Sequence, residues 1–171
     1  MRRTLNAIVR GERLVNRGPR GGRSYAGVRG LLNYLAFGRY GEQSGRAPVQ
    51  RGVWLDHNQE EQSHADVLAW AKEKVHQFRY EYAYQLLLST RRDAPANTPE
   101  PALNAVHYNQ VLQEGSALSG VHEWVYTVHE DTAHPHAHAI LFRKEKLSAA
   151  EYRQWQAAMQ AGLERAAAAQ A

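Results

Sequence analysis

A chain of 171 residues with 43% hydrophobic residues has the size of one ordinary domain and enough apolar side chains for a single core. The absence of cysteine excludes disulfides, thiolate metal sites and a cysteine nucleophile, suits a reducing cytoplasm, and leaves any metal to imidazole and carboxylate. The formal charge of +4 is segregated: residues 1–51 carry eleven arginines and no lysine against Glu12 and Glu42, a balance of +9 that leaves −5 for the remainder.

A planar guanidinium fork fits phosphate better than an ammonium does, so the N-terminal third reads as a polyanion-binding segment. No window approaches the ~18 apolar residues of a membrane span, and no membrane partner is expected.

In chain order, "TLNAIVRG" (4–11) predicts a short strand and "NRGPRGGRS" a glycine-rich basic loop. A helix follows from about Ser24, with Tyr25, Val28, Leu31, Leu32 and Leu35 at helical spacing and Gly38 as its stop. A second basic loop covers 38–51, and "GVWLD" is a short strand. "SHADVLAWAKEKVHQF" pairs a Ser63 to Asp66 cap with Val67, Leu68, Ala71, Val75 and Phe78 on one helical face.

"YEYAYQLLLST" is a buried strand, and the proline-rich stretch 91–101 is an exposed loop. Residues 102–113 predict a helix ending at Gly115. "GVHEWVYTVH" and "HAHAILFRK" are strands whose connection, Glu130 to Pro135, is too short for a crossover, so they pair antiparallel. A last helix starts near Ser148 and runs into an alanine-rich tail. The expected fold is a single α+β domain over 1–171, with a central antiparallel sheet flanked by helices.

Four of the nine histidines fall within "HEDTAHPHAH". Alternate residues of a strand share a face, so His136 and His138 project together, and His129 ends the strand that pairs with theirs. Three imidazoles converging there make a divalent cation site with open positions. His134 shares the parity but precedes Pro135 in the turn and ranks below them. Asp131 is placed to accept a ring N–H and hold a histidine in one tautomer.

"VHEDTAHPHAH" resembles the third motif of relaxases, the HUH-type nicking enzymes of conjugative and mobilisable plasmids, with His129, Asp131, Thr132, His136 and His138 in step. "YQLLLS" resembles their second motif, a strand ending in a serine near the scissile DNA, here Ser89. "YAGVRGLLNYL" resembles the first, in which a helix carries the nucleophilic tyrosine, here Tyr34. The resemblance spans about residues 1–143. Family members carry long C-terminal extensions, whereas here the alanine-rich helix follows the third motif.

The resemblance implies an HUH-type sheet and a nickase for single-stranded DNA at an origin-of-transfer-like site, working with Mn²⁺ or Mg²⁺ and accessory relaxosome proteins. Tyr34, Asp131 and Ser89 would be its catalytic residues, with Tyr25 and Tyr40 as substitutes for Tyr34. Arg2, Arg3, Arg20, Arg23, Arg29 and Arg39 would track DNA phosphates, and Trp54 or a neighbouring tyrosine would stack on unpaired bases.

The chemistry is coherent on its own terms. A phenol with an ordinary pKa near 10 is a poor nucleophile, and a cation on the scissile phosphate stabilises both the developing charge and the leaving 3′-oxygen. Two other readings stand beside it. "HPHAHAI" also fits the string of histidine-triad nucleotide hydrolases, in which a histidine is the nucleophile. A catalytically silent DNA-binding accessory or replication protein would keep the fold and cut nothing.

Overall fold

A computed structural model of the chain describes residues 5–38, 49–92, 103–131 and 134–170. Its elements are β1 (Leu5–Val15), α1 (Ala26–Phe37), β2 (Trp54–Asp56), β3 (Glu61–Gln62), α2 (His64–His76), β4 (Tyr82–Arg92), α3 (Ala105–Ser119), β5 (Trp124–His129), β6 (His136–Arg143) and α4 (Ala149–Ala169). The α+β expectation holds: one six-stranded sheet in the order β1-β4-β6-β5-β2-β3, every described pair antiparallel, with four helices.

Strand parity divides the core in two. Ala137, Ala139 and Leu141 of β6 pack with Tyr126, Leu86 and Leu88 into the layer formed by α3 and α4. Ile140 and Phe142, one residue out of phase, pack with Val125 and Ala83 beneath α1 and α2. His136 and His138 continue that second series, so they stand on the α1 and α2 side of the sheet.

β1 runs four residues beyond its expected end because it pairs along its whole length with β4, Leu5 opposite Arg92 and Val15 opposite Tyr82. Gly11 gives α4 its approach there: a Cβ at this position would collide with the Tyr152 ring. The α2 cap forms as expected, Ser63 Oγ accepting from the Asp66 amide at 3.0 Å.

The expected burial of Phe78 is corrected. The helix ends at His76, Arg79 takes a φ of 56°, and Phe78 lies 45% exposed with the Lys74 ammonium 5.0 Å from its ring. The expected stop at Gly115 is also corrected. α3 continues to Ser119 and ends on left-handed Gly120, because Gly115 is where α4 crosses, and a Cβ there would lie 2.6 Å from Met159 Cγ.

β3 was not foreseen. Asp56 Oδ1 accepts from the amides of Asn58 and Glu60 in a tight turn that folds Glu61–Gln62 back onto β2. Among the described residues no helix is long and apolar enough to cross a membrane.

Candidate metal centre

His129 and His136 are register partners across β5 and β6, and His138 lies opposite Thr127 two residues further along. His136 meets each of the other two rings in a T-shaped contact, and His129 and His138 are tilted against each other, with centroids 4.9–5.3 Å apart. One nitrogen from each lies within 4.8 Å of the other two. Nitrogens bound tetrahedrally at ~2.1 Å stand about 3.4 Å apart, so small side-chain rotations close the cluster around a cation.

Each ring is prepared differently. His129 is fully buried, and neither ring nitrogen has a partner of hydrogen-bonding geometry among the described residues, although the Leu35 backbone stands close enough to favour protonation. Leaving buried ring nitrogens without partners costs ~1–3 kcal/mol. His136 Nδ1 lies 2.9 Å from the His134 carbonyl, which can only accept. The proton is therefore on Nδ1 and the lone pair on Nε2. The Gln85 Nε2 amide donates to His138 Nδ1 at 3.3 Å, which puts that neutral ring's proton on Nε2; a half-turn of the amide lets Oε1 accept from Nδ1–H instead and releases Nε2 to a cation.

Burial, reinforced by the Arg51 charge and the other imidazoles, pushes His129 down to about 4 and His138 to about 3. Both rings are therefore neutral at physiological pH, the form that ligates. A buried imidazole that no described residue meets in good hydrogen-bonding geometry, an all-imidazole donor set and neutral rings together fit a divalent cation.

Ser89 of β4 is the register partner of His136 on its other side and faces the same layer. Tyr34 projects from the last turn of α1 with 52% of its surface exposed. The end of that helix abuts the cluster: the Leu35 backbone acts on His129, and Ala36 accepts from the Arg51 amide at 2.8 Å. Asn33, beside Tyr34, is held by His64 Nε2 at 2.8 Å, and Trp54 Nε1 donates to His64 Nδ1 at 3.1 Å. The indole can only donate, so His64 carries its proton on Nε2 and gives it to Asn33.

Several expectations change. Asp131 does not hold a histidine ring; both of its oxygens take the Arg51 fork, at 2.8 and 3.0 Å, and that pairing holds its carboxyl below the usual range. Trp54 is fully buried and cannot stack on bases. The Tyr25 hydroxyl donates to the Leu68 carbonyl at 2.9 Å, which occupies it structurally. Arg2, Arg3, Arg39 and Tyr40 lie outside the described residues.

Arg29 is exposed on α1. Arg20 and Arg23 belong to the loop after β1, which is anchored at Glu81: Arg17 and Arg23 both pair with that carboxylate. Tyr82 lies seven residues along β4 from Ser89, about 23 Å at the rise of a strand. The basic loop is thus at the opposite end of the sheet from the histidines.

Two residues at the cluster, Arg51 and Gln85, were not singled out in the sequence. Gln85 carried a readable signal, being in phase with Ser89 and polar within the apolar run that precedes that serine in β4. Arg51 was one arginine among eleven, and only the pairing of β2 with β5 brings it here. No protein-family model, curated protein or solved structure matches the chain.

Proposed function

We propose that this chain nicks and rejoins single-stranded DNA as a metal-assisted, relaxase-type enzyme of plasmid mobilisation or conjugative transfer, its sheet being of the HUH type. The observation that carries the reading is the cluster itself: three imidazoles from two adjacent strands, the fully buried His129 among them, converge at the end of the helix that bears exposed Tyr34. His129, His136 and His138 hold the cation. When bound, Mn²⁺ or Mg²⁺ supplies Lewis-acid stabilisation of charge on the scissile phosphate.

The residues of the chain do the rest. Tyr34 Oη attacks phosphorus; the new oxygen–phosphorus bond forms as the bond to O3′ breaks. The phenol loses its proton to solvent and the 3′-oxygen gains one, leaving a 5′-phosphotyrosine and a 3′-hydroxyl. One phosphodiester replaces another, so the reverse joining step remains open. Ser89, beside His136, borders the space for the DNA. The histidine-triad alternative would make one imidazole a nucleophile and leave Tyr34 and the burial of His129 without work.

The test is a randomised single-stranded DNA pool incubated with the protein and Mn²⁺, one sample labelled at the 3′ end and another at the 5′ end, then resolved under denaturing conditions. The 3′ label should migrate with the protein, the 5′ label should be released, and chelator should prevent both. An acid-labile phosphohistidine instead would transfer the reading to the histidine-triad class, and no adduct under any metal would remove it.

A further inference from the structure

In the proposed reaction the scissile phosphate still lacks a direct protein grip, and one side chain at the cluster is built to supply it. Arg51 is set by its backbone on two sides. Its amide donates to Ala36 at the end of α1, and the following residue, Gly52, presses so closely on β5 that a Cβ would lie 2.7 Å from the Val128 carbonyl and 2.8 Å from Thr127 Oγ1. The guanidinium is thereby delivered between the helix of Tyr34 and the strand of His129.

Its charge reaches two of the three rings, His129 and His138, and disfavours their protonated forms. The fork is filled by the Asp131 carboxylate in a two-point geometry, Nε at 2.8 Å and Nη2 at 3.0 Å. Two oxygens on one centre, spanned by a planar fork, is also how a guanidinium grips a phosphodiester. Asp131 is about half exposed and can turn away without leaving a buried charge.

We propose that Arg51 is the phosphate-gripping residue of this site, its fork exchanging the Asp131 carboxylate for the non-bridging oxygens of a single-stranded DNA phosphodiester. Its contribution to nicking rests on the function proposed above, whereas its contribution to binding does not. In the transfer step the two Arg51 N–H groups follow the non-bridging oxygens as charge accumulates on them, while the Tyr34 oxygen–phosphorus bond forms and the bond to O3′ breaks. No proton passes through Arg51.

Two measurements separate the grip from the nicking. In the first, a fluorescent randomised single-stranded DNA pool is titrated in chelator over a salt series. Arg51→Ala should lower the slope of log K against log salt by about 0.7, the value of one phosphate contact on a single strand. Asp131→Asn, which frees the fork, should tighten binding by up to about fivefold, the fold-change corresponding to an exposed ion pair. Arg51→Lys should keep most of the slope.

In the second, adduct formation with Mn²⁺ should slow about 100-fold in Arg51→Ala and substantially in Arg51→Lys, because an ammonium makes no planar two-point contact. Melting of Arg51→Lys near the wild-type temperature establishes that it folds. An Arg51→Ala protein with the wild-type slope, or with the wild-type adduct rate, overturns the proposal while leaving the nickase reading intact. A lowered slope in a protein whose wild type forms no adduct keeps Arg51 as a phosphate grip and removes the nicking.

Discussion

His129 and His136 face each other as register partners at the last rung of the β5 and β6 pair, their rings edge-on with centroids 5.3 Å apart. A slip of one residue in that register would send one of the two to the α3 and α4 side, into a core of Tyr126 and Leu141. The apolar residues that continue both strands therefore fix the cluster: Val125 and Ile140 must stay under α1 and α2 while Tyr126 and Ala139 stay under α3 and α4. The geometry of the cluster is a consequence of how the core is packed.

The all-imidazole donor set makes a ranking of metals testable. Zn²⁺ and Ni²⁺ should bind more tightly than Mn²⁺, and Mg²⁺ should be weakest, since imidazole suits the softer ions and Mg²⁺ prefers oxygen. Calorimetric titration of each ion into wild type and His136→Ala checks this. Losing one ligand should reduce Mn²⁺ affinity at least tenfold, and equal affinity in the variant would rule out the site.

Acid should destabilise the metal-free protein in a defined window. His129 and His138 titrate near 4 and 3 in the fold and near 6.5 when unfolded, so between these values the unfolded chain binds more protons. The stability due to the two neutral rings is complete above about 6.5 and is lost as pH falls through about 4 for His129 and about 3 for His138. In chelator, the Tm of wild type should therefore drop across that range by ~2–4 °C for each kcal/mol lost. A His129→Leu protein should show a shallower drop, and parallel curves would contradict the burial argument.

Tyr34 exposes its phenol and Tyr25 does not, so the two should separate cleanly. Tyr34→Phe should leave stability within about 0.5 kcal/mol and Mn²⁺ affinity unchanged while abolishing the DNA adduct. Tyr25→Phe should instead cost about 1 kcal/mol, because the Leu68 carbonyl loses its donor, and should keep the adduct. Mass spectrometry of the digested adduct should find the nucleotide on the peptide that contains Tyr34; a modified Tyr25 would reverse the assignment.

Helical spacing in α1 and α2 and apolar runs of strand length in β4, β5 and β6 carried most of the fold, because the sheet is packed on both faces and strand parity sorts its side chains between the two layers. The three histidines were legible for the same reason, their spacing matching the strand parity that packing enforces. What escaped was set by close approaches between distant segments. Gly115 reads locally as a helix stop, and only the crossing of α4 at Met159 explains why α3 passes through it. The partner of Asp131 was misread because a carboxylate near histidines suggests a ring contact, while Arg51, 80 residues away in sequence, takes it through pairing that no local pattern encodes.

Two glycines should respond to alanine with opposite signs, which tests how Arg51 is positioned. Gly30 lies exposed inside α1 with nothing within 4 Å of an added methyl, so Gly30→Ala should stabilise the protein by about 0.5–1 kcal/mol through helix propensity and a less flexible unfolded chain. Gly52 has no such room, since the obstructing Val128 carbonyl and Thr127 Oγ1 belong to a central strand that cannot yield as a flexible side chain would. Gly52→Ala should cost about 1–3 kcal/mol and push residues 51–53 off β5. The displacement would withdraw Arg51 from Asp131, so the salt slope for single-stranded DNA should fall in Gly52→Ala and stay at the wild-type value in Gly30→Ala. Thermal melts and the anisotropy series on the two variants check both signs, and a Gly52→Ala protein as stable as wild type would mean that the approach of this segment to β5 is looser than the contacts indicate.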